Sequence, residues 1–319
     1  MPHWNRWIQI LTIYSNIDRQ KGKLYRLSFF RKEQQVMNKK FKQNMEYFVF
    51  LIPSLILFGF CVVYPFLSGI HLAFTDWNGI APTYNYNGVE NFIKLFQDKQ
   101  VLGPIKNTLF YGVGVTILNN ILSLSLAMAL SKKMKGKAFF KTVFFIPMSI
   151  SVVLASFVWR YIFSNMLNEI TGQSLLGAKN TVLIGIIIIS IWNNLGSNIM
   201  IYIAGLAGIP KDYEEAAMID GAGIFQRFRY ITIPMLMPSF AICITLTLTS
   251  SLREFGLVLA ATGGGPAGSS ETFALLIYNY MFKYSKAGYA QAISLVFMVV
   301  LVVIGVAMNR YFRNREVEA

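Results

Sequence analysis

The chain has 319 residues, of which 55% are apolar, 15% are aromatic and only 14% are charged, and its formal net charge is +14. Soluble domains usually carry about 25% charged residues. The composition therefore excludes a disordered chain, a collagen-like repeat and a disulfide scaffold, and it argues against a single soluble domain. Cys61 and Cys243 lie inside apolar runs without metal-ligand spacing and are interpreted as small hydrophobic residues. We predict a polytopic membrane protein.

Six hydrophobic runs are long enough to cross a bilayer, which takes about 20 mostly apolar residues. In chain order they cover residues 47–74, 108–130, 142–163, 181–209, 234–262 and 287–308. Because backbone groups in lipid must bond within their own segment, each run is predicted to be a helix. The predicted fold class is therefore all-α, with six transmembrane helices.

Basic residues are distributed unequally between the loops on the two sides. Twenty-one of the 29 Lys and Arg residues lie before run one, after runs two and four, or after run six. Six lie in the opposite loops, namely Lys94, Lys99, Lys106, Lys179, Lys283 and Lys286. Cytoplasmic loops are enriched in Lys and Arg, so both termini are predicted to be cytoplasmic. This placement accounts for the net charge without a nucleic-acid partner.

Three stretches are distinguished along the chain. Residues 1–45 are predicted to be a basic cytoplasmic segment, residues 46–312 the transmembrane domain with a cytoplasmic loop at 208–233, and residues 313–319 a cytoplasmic tail. Residues 1–36 are interpreted as an over-extended start or a loose tail, because Met37 begins a segment typical of a natural start. A membrane-surface helix is the alternative, since apolar residues recur at helical spacing from Trp4 to Tyr14.

Motifs that carry catalytic chemistry are absent from the sequence. It has no G-x-x-x-x-G-K-[ST] nucleotide-binding loop, no nucleophile elbow and no paired His or Cys set. We therefore expect no enzyme activity, no metal and no cofactor in this chain. No charge lies at the middle of a hydrophobic run. Ion-coupled carriers often bury charged residues there, so a secondary transporter is disfavoured.

The loop at residues 208–233 has helix punctuation of its own. Pro210 fits a first helical position, and acidic residues follow it, where they favour the helix dipole. Gly221 is predicted to end this helix in the left-handed conformation, Asp220 to cap a second short helix, and Pro234 to begin run five. The two helices would form a knob, and the alternative is a linker lying on lipid. The apolar face of the knob consists of Ala217, Ile224, Phe225 and Phe228.

Polar residues recur on one face of run four and on one face of run five. Run four carries Asn193, Asn194, Ser197 and Asn198, and run five carries Thr247, Ser250, Ser251 and Glu254. Their spacing places each set on one helical stripe. Hydroxyl and amide groups suit a neutral, hydroxyl-rich solute such as a sugar, and Trp192 and Phe255 are candidates to stack on its rings. The alternative is that the polar groups only hold helices together, at about 0.6–2 kcal/mol each.

The segment "EAAMIDGAGIFQRFRYITIP" resembles the E-A-A-x-x-x-G-x(9)-I-x-L-P loop of permease subunits in bacterial ATP-binding-cassette importers. The matching residues are Glu215, Ala216, Ala217, Gly221, Ile231 and Pro234, while Ile233 stands where the pattern has Leu. "DGA" at 220–222, "GGGP" at 263–266 and "FTDWNG" at 74–79 further resemble the carbohydrate-uptake branch, the maltose and glycerol-phosphate importer group. The resemblance covers residues 46–312.

This resemblance implies a type I importer permease in a bacterial cytoplasmic (inner) membrane. It implies a heterodimer with a second permease, two separate ATPase subunits that hold ATP and Mg, an extracytoplasmic solute-binding protein, and an oligosaccharide or other sugar as the solute. The loop at 208–233 would be the coupling loop against an ATPase subunit. The residues assigned to that interface are Glu215, Ala216, Ala217, Asp220, Gly221, Phe225 and Pro234. The alternative function is an ion-coupled secondary transporter.

Overall fold

A computed structural model describes residue 45 and residues 47–132 and 134–314. These residues form helices and no strand, with one isolated bridge between Thr75 and Tyr86. The helices are α1 Tyr47–Ala73, α2 Glu90–Gln97, α3 Lys99–Ser131, α4 Lys137–Ser149, α5 Val152–Ile170, α6 Val182–Ala207, α7 Lys211–Ile219, α8 Ile224–Met235, α9 Met237–Leu252, α10 Gly256–Ala261, α11 Phe273–Tyr278 and α12 Ala287–Arg313. The predicted all-α fold class is confirmed. The basic segment and the tail, including residues 1–36, lie outside the described residues.

The chain divides into two units between Ser68 and Gly69. The described part of the first unit is most of α1, and none of its residues is buried. A helix this apolar and this exposed needs an apolar medium, since water would meet its side chains on every face. The second unit contains all the other helices.

Four helices are each long and apolar enough to cross a membrane, namely α1, α3, α6 and α12. The two remaining runs are bent pairs: α4 and α5 meet at 103°, and α8 and α9 meet at 69°. If each pair is one span, the described residues provide the six predicted spans. The expectation of continuous helices over 142–163 and 234–262 is wrong.

The break between α4 and α5 has a local cause. Pro147 lies in a tight 3₁₀ turn at the end of α4, and Ile150 is extended. The side-chain Nδ2 of Asn193 in α6 donates to the carbonyl oxygens of Pro147 at 2.9 Å and Ile150 at 3.3 Å. The Pro147 carbonyl also accepts the Ile150 N–H at 3.1 Å, so the Asn193 amide adds a second donor there and ties both sides of the bend to α6.

Run five ends ten residues earlier than the sequence predicts. α9 stops at Leu252, and α10 restarts at Gly256. The Glu254 carboxylate accepts a hydrogen bond from the Leu257 backbone N–H at 2.8 Å, and the Glu254 carbonyl accepts one from the Thr272 hydroxyl at 2.9 Å. Glu254 therefore fixes the non-helical link, which apolar composition alone does not reveal.

The core of the second unit lies around α3 and α6. Tyr111 and Ile186 pack with Leu257 in one cluster, while Tyr202 and Cys243 are fully buried in another. Hydrogen bonds also join the two central helices. The Tyr202 hydroxyl donates to Asn120 Oδ1 at 2.7 Å, and Asn120 Nδ2 donates to a carbonyl of its own helix. Polar pairs of this kind stabilise helix association in a bilayer by about 0.6–2 kcal/mol.

Candidate functional site

The loop between α6 and α9 folds into two helices that meet at a tight turn, and residues 211–230 are called the knob here. The first helix, α7, begins at Lys211 after Pro210. Pro210 was expected at the first helical position, but it has an extended backbone and is the N-cap, so the helix begins one residue later than predicted. Asp212 and Glu214 lie in the first turn, where their charge favours the helix dipole.

The turn at Gly221 has the geometry that the sequence predicts. Gly221 has a φ of +78°, in the left-handed region where a side chain is disfavoured. Its N–H donates to the Met218 carbonyl at 3.1 Å, and the Ala222 N–H donates to the Ala217 carbonyl at 2.9 Å. Together these two bonds form a Schellman motif, which satisfies the last carbonyls of α7.

The second helix is capped differently from the prediction. Asp220 is the C-cap of α7, and the N-cap of α8 is Gly223. The Gln226 side-chain oxygen accepts a hydrogen bond from the Gly223 N–H at 2.8 Å. A Gln at the third helical position can satisfy a free N–H in this way, and the sequence contains that signal.

The knob projects from the described residues with its apolar side chains uncovered. Ile219, Ile224 and Phe225 are 86%, 79% and 78% exposed. None of the residues of α7 is buried, which includes Glu215 and Ala216, and Ala217 is half-buried. Exposed apolar groups clustered on a projection mark a contact surface. Of the predicted apolar face, Phe228 is half-buried like Ala217, whereas Ile224 and Phe225 are exposed.

The knob is linked through the chain to α6 at one end and to α9 at the other. Pro234, which was expected to begin run five, lies one residue before the end of α8, and the chain then bends into α9. Leu236, at that bend, is fully buried. Gly205 of α6 lies so close to α9 that a Cβ there would overlap the Ser239 hydroxyl. α6 and α9, the helices that flank the knob, are therefore packed closely against each other.

Comparison with known proteins decides the family. Residues 120–317 match the family described as the binding-protein-dependent transport system inner membrane component. The chain belongs to this family. It is similar to the multiple sugar-binding transport system permease protein MsmF of Streptococcus mutans, with 32% identity over 84% of this chain and 95% of that protein. It is also similar to the sn-glycerol-3-phosphate transport system permease protein UgpA of Agrobacterium fabrum, with 27% identity over 82% of this chain and 92% of that protein.

The permease fold is shared with solved structures. A bacterial ABC transporter involved in the import of the acidic polysaccharide alginate superposes with a TM-score of 0.75 and 24% identity, covering 86% of this chain and 98% of that one. At this identity the likeness shows the fold.

The residues of the two predicted polar stripes divide into buried side chains and solvent-accessible ones. Asn198 and Thr247 are buried, and Asn198 Nδ2 donates to Thr247 Oγ1 at 2.9 Å, joining α6 to α9. Ser251 is also buried. Asn193 holds the α4–α5 break, as described above. In these positions the side chains serve contacts between helices, and their role toward a solute stays a prediction.

The open members of the stripes lie on two different helices. Asn194 and Ser250 are exposed, and Ser197 is half-buried. Asn194 Nδ2 donates to the Ser190 carbonyl and Ser197 Oγ to the Asn194 carbonyl, both within α6. The side-chain oxygen of Asn194 makes no hydrogen bond to any described residue, so an acceptor is available on this surface.

A polar cavity of about 630 Å³ lies beside the glycine-rich turn that follows α10. Gly263 and Gly264 have φ values of +59° and +88°, in the left-handed region that glycine tolerates. Arg160 of α5 is exposed and lines the same cavity. The cavity is large enough for a small polar solute or for a partner's side chain.

Sequence reasoning missed a hydrogen-bond cluster between α2 and α3. The Asp98 carboxylate accepts hydrogen bonds from the Tyr280 hydroxyl at 2.7 Å, the Tyr289 hydroxyl at 3.0 Å and the Gln100 N–H at 2.9 Å. Burial raises the pKa of Asp98, but these hydrogen bonds outweigh it, so the pKa lies below its usual value. The only sequence signal was an Asp in a capping position before α3.

Proposed function

We propose that this permease imports a saccharide as one of two permease chains of an ATP-binding-cassette importer. The carrying observation is the uncovered apolar knob, whose turn at Gly221 is built by two hydrogen bonds and whose ends lead directly into α6 and α9. Membership of the family and the similarity to a sugar-transport permease support the assignment. The alternative, an ion-coupled secondary transporter, would not explain an exposed apolar knob of this kind.

The partners follow from the division of labour in such an importer. The knob is proposed to seat in a separate ATPase subunit, since small side chains at Ala216 and Ala217 let a helix approach closely. A second permease, a second ATPase subunit and an extracytoplasmic solute-binding protein complete the complex in a bacterial cytoplasmic membrane. ATP and Mg are held by the ATPase subunits, so this chain transports without an ATPase site of its own.

The mechanism we propose is alternating access. Closure of the two ATPase subunits on ATP pushes the two knobs together. The bend between α8 and α9 and the contact at Gly205 then shift the spans toward an outward-open state, and hydrolysis resets them. Asn194, Ser197 and Ser250 are the proposed solute contacts, because their side chains remain accessible.

The test combines two measurements. Uptake of labelled mono- and oligosaccharides is compared between the parent strain and a strain that lacks this gene, and a tagged chain is purified to see whether an ATPase accompanies it. Selective loss of one saccharide together with co-purification of an ATPase is expected. Absence of any ATPase from a stable, membrane-inserted chain would contradict the importer assignment. Co-purification with loss of a non-saccharide solute would contradict only the substrate class.

A further inference from the structure

An apolar groove of about 580 Å³ runs along the second unit between α3 and α12. Its walls are formed by aliphatic side chains from the two helices, and Phe96 of α2 lies at its end with 82% of its surface exposed. The wall residues used here are Leu102, Ile105, Leu109, Val296, Val300 and Ile304. Leu102, Leu109 and Val300 are 56%, 49% and 45% exposed, so the groove opens sideways onto the surface of the protein.

The charged residues that line the groove lie at one end of it. Gln97, Asp98 and Lys99 form its rim at the start of α3. The Asp98 carboxylate is engaged with the two tyrosine hydroxyls, whereas Lys99 is exposed and forms no ion pair with any residue that the structure describes. The rim therefore presents one free cation above an apolar channel.

The length of the groove matches part of an acyl chain. From Val296 to Ile304, α12 rises about 12 Å at 1.5 Å per residue. One leaflet makes up about half of the roughly 30 Å hydrocarbon core of a bilayer. The groove is therefore long enough to hold most of one acyl chain beside α3 and α12.

We infer that this groove binds a phospholipid, with one acyl chain between α3 and α12 and the headgroup phosphate on Lys99. The combination of a cation at the rim and an apolar channel below it matches the two parts of a lipid. Val101 at the rim packs in one cluster with Ile293 near the start of α12, so the cation lies at the end of the span rather than at its middle. The inference requires only that the permease lies in a membrane, whatever its solute.

The experiment uses the whole transporter in nanodiscs that contain a phosphatidylglycerol or a phosphatidylcholine with a photo-reactive acyl chain. Cross-linked peptides are mapped by mass spectrometry. We expect labelling concentrated at Ile105, Leu109 and Val300, with both lipids, because both carry the phosphate. Ile105→Trp, which fills the groove, should remove most of this labelling. Val303→Trp, on an exposed part of α12 outside the groove, should not.

The role of Lys99 is tested with a matched pair of variants. Lys99→Gln should reduce labelling in the groove about fivefold, which corresponds to the ~1 kcal/mol that one Lys near a membrane surface contributes. Lys179→Gln removes another exposed Lys, one that lies outside the groove, and should leave the labelling unchanged. Circular dichroism and uptake by each variant show that it is folded.

Two outcomes would overturn the inference. The first is labelling of the groove that is no denser than labelling of the exposed valines at 302, 303 and 306, which would indicate bulk lipid only. The second is a cross-link from a photo-reactive phenylalanine analogue at position 300 to another polypeptide, which would place protein in the groove.

Discussion

At the scale of single residues, hydrogen bonds between helices determine which polar groups remain free to contact a solute. Asn198 and Thr247 are bonded to each other in the interior, whereas Asn194 and Ser250 face outward. Both pairs belong to the same helical stripes in the sequence. A sequence gives the stripe but not the partner of each side chain, because partners come from helices far apart along the chain.

The Asn198–Thr247 bond yields a quantitative prediction. Asn198→Leu and Thr247→Val should be non-additive, with a coupling of about 0.6–1.7 kcal/mol in the free energy of unfolding, as for other hydrogen bonds between membrane helices. A double-mutant cycle on the purified transporter measures it by thermal or denaturant unfolding. If the two effects add fully while uptake is lost in each single variant, the two residues contact solute rather than each other.

Asp98 yields a prediction with a defined pH dependence. Its pKa in the folded protein is lowered, so its hydrogen bonds stabilise the fold fully above the unfolded pKa of about 3.9. That stabilisation is lost as the pH falls through the lower, folded pKa. Asp98→Asn should reduce Tm at pH 7, and the difference from the parent should stay constant down to about pH 5 and shrink below about pH 4.

A series of Tm measurements between pH 7 and pH 3 checks this dependence. Tyr289→Phe removes one of the three donors and should give a smaller loss than Asp98→Asn, with the same trend. A difference in Tm that grows as the pH falls would contradict the assignment of Asp98 as a charged acceptor.

At the scale of whole helices, hydrophobic runs predicted where spans lie but not where they bend. Residues 142–163 read as one apolar run, yet Asn193 from α6 stabilises a sharp break within it. Residues 234–262 read likewise, yet Glu254 ends α9 and starts α10. Each bend depends on a contact from elsewhere in the chain or on one polar side chain, and mean hydropathy is insensitive to both.

The break between α4 and α5 can be tested with neighbouring asparagines. Asn193→Ala removes the side-chain donor that α6 supplies to the carbonyls of Pro147 and Ile150, and it should destabilise the permease by about 1–3 kcal/mol. Asn194→Ala removes a bond within α6 only and should cost less than half as much. The free energy of unfolding of the two variants is the measurement, and equal losses would contradict the role of Asn193 at the break.

The contact between α6 and α9 near the knob has a matched glycine control. A Cβ at Gly205 would overlap the Ser239 hydroxyl and lie 2.9 Å from Leu236, so Gly205→Ala should destabilise by about 1–3 kcal/mol. Gly305 in α12 has nothing within 4 Å of the same position, so Gly305→Ala should be neutral or slightly stabilising. Thermal unfolding of both variants distinguishes a packed helix crossing from an open one.

At the scale of the whole molecule, the sequence predicted the main features of the knob. The motif from Glu215 to Pro234 and the left-handed turn at Gly221 could both be predicted, because glycine preference and capping are local properties of the sequence. The Asp98 cluster and the groove between α3 and α12 could not be predicted from the sequence, since each brings together segments nearly two hundred residues apart.

A substitution at Gly221 alters the turn of the knob and leaves the sequence of the spanning helices unchanged. Gly221→Pro is incompatible with a φ of +78° and removes the N–H that bonds Met218. Gly172, which follows α5, is an exposed glycine with a φ of +72° whose N–H bonds the Asn168 carbonyl. It lies at the opposite end of α6, so Gly172→Pro imposes the same local damage on the other side of the membrane.

The most direct measurement is saccharide uptake and ATP hydrolysis by the purified transporter in liposomes, for the parent, Gly221→Pro and Gly172→Pro. We expect Gly221→Pro to lower uptake at least tenfold while the protein still inserts, and Gly172→Pro to retain most of the uptake. Gly221→Asn, which tolerates the left-handed conformation, should restore much of it. Normal uptake by Gly221→Pro, at normal membrane levels, would contradict the coupling role of the knob.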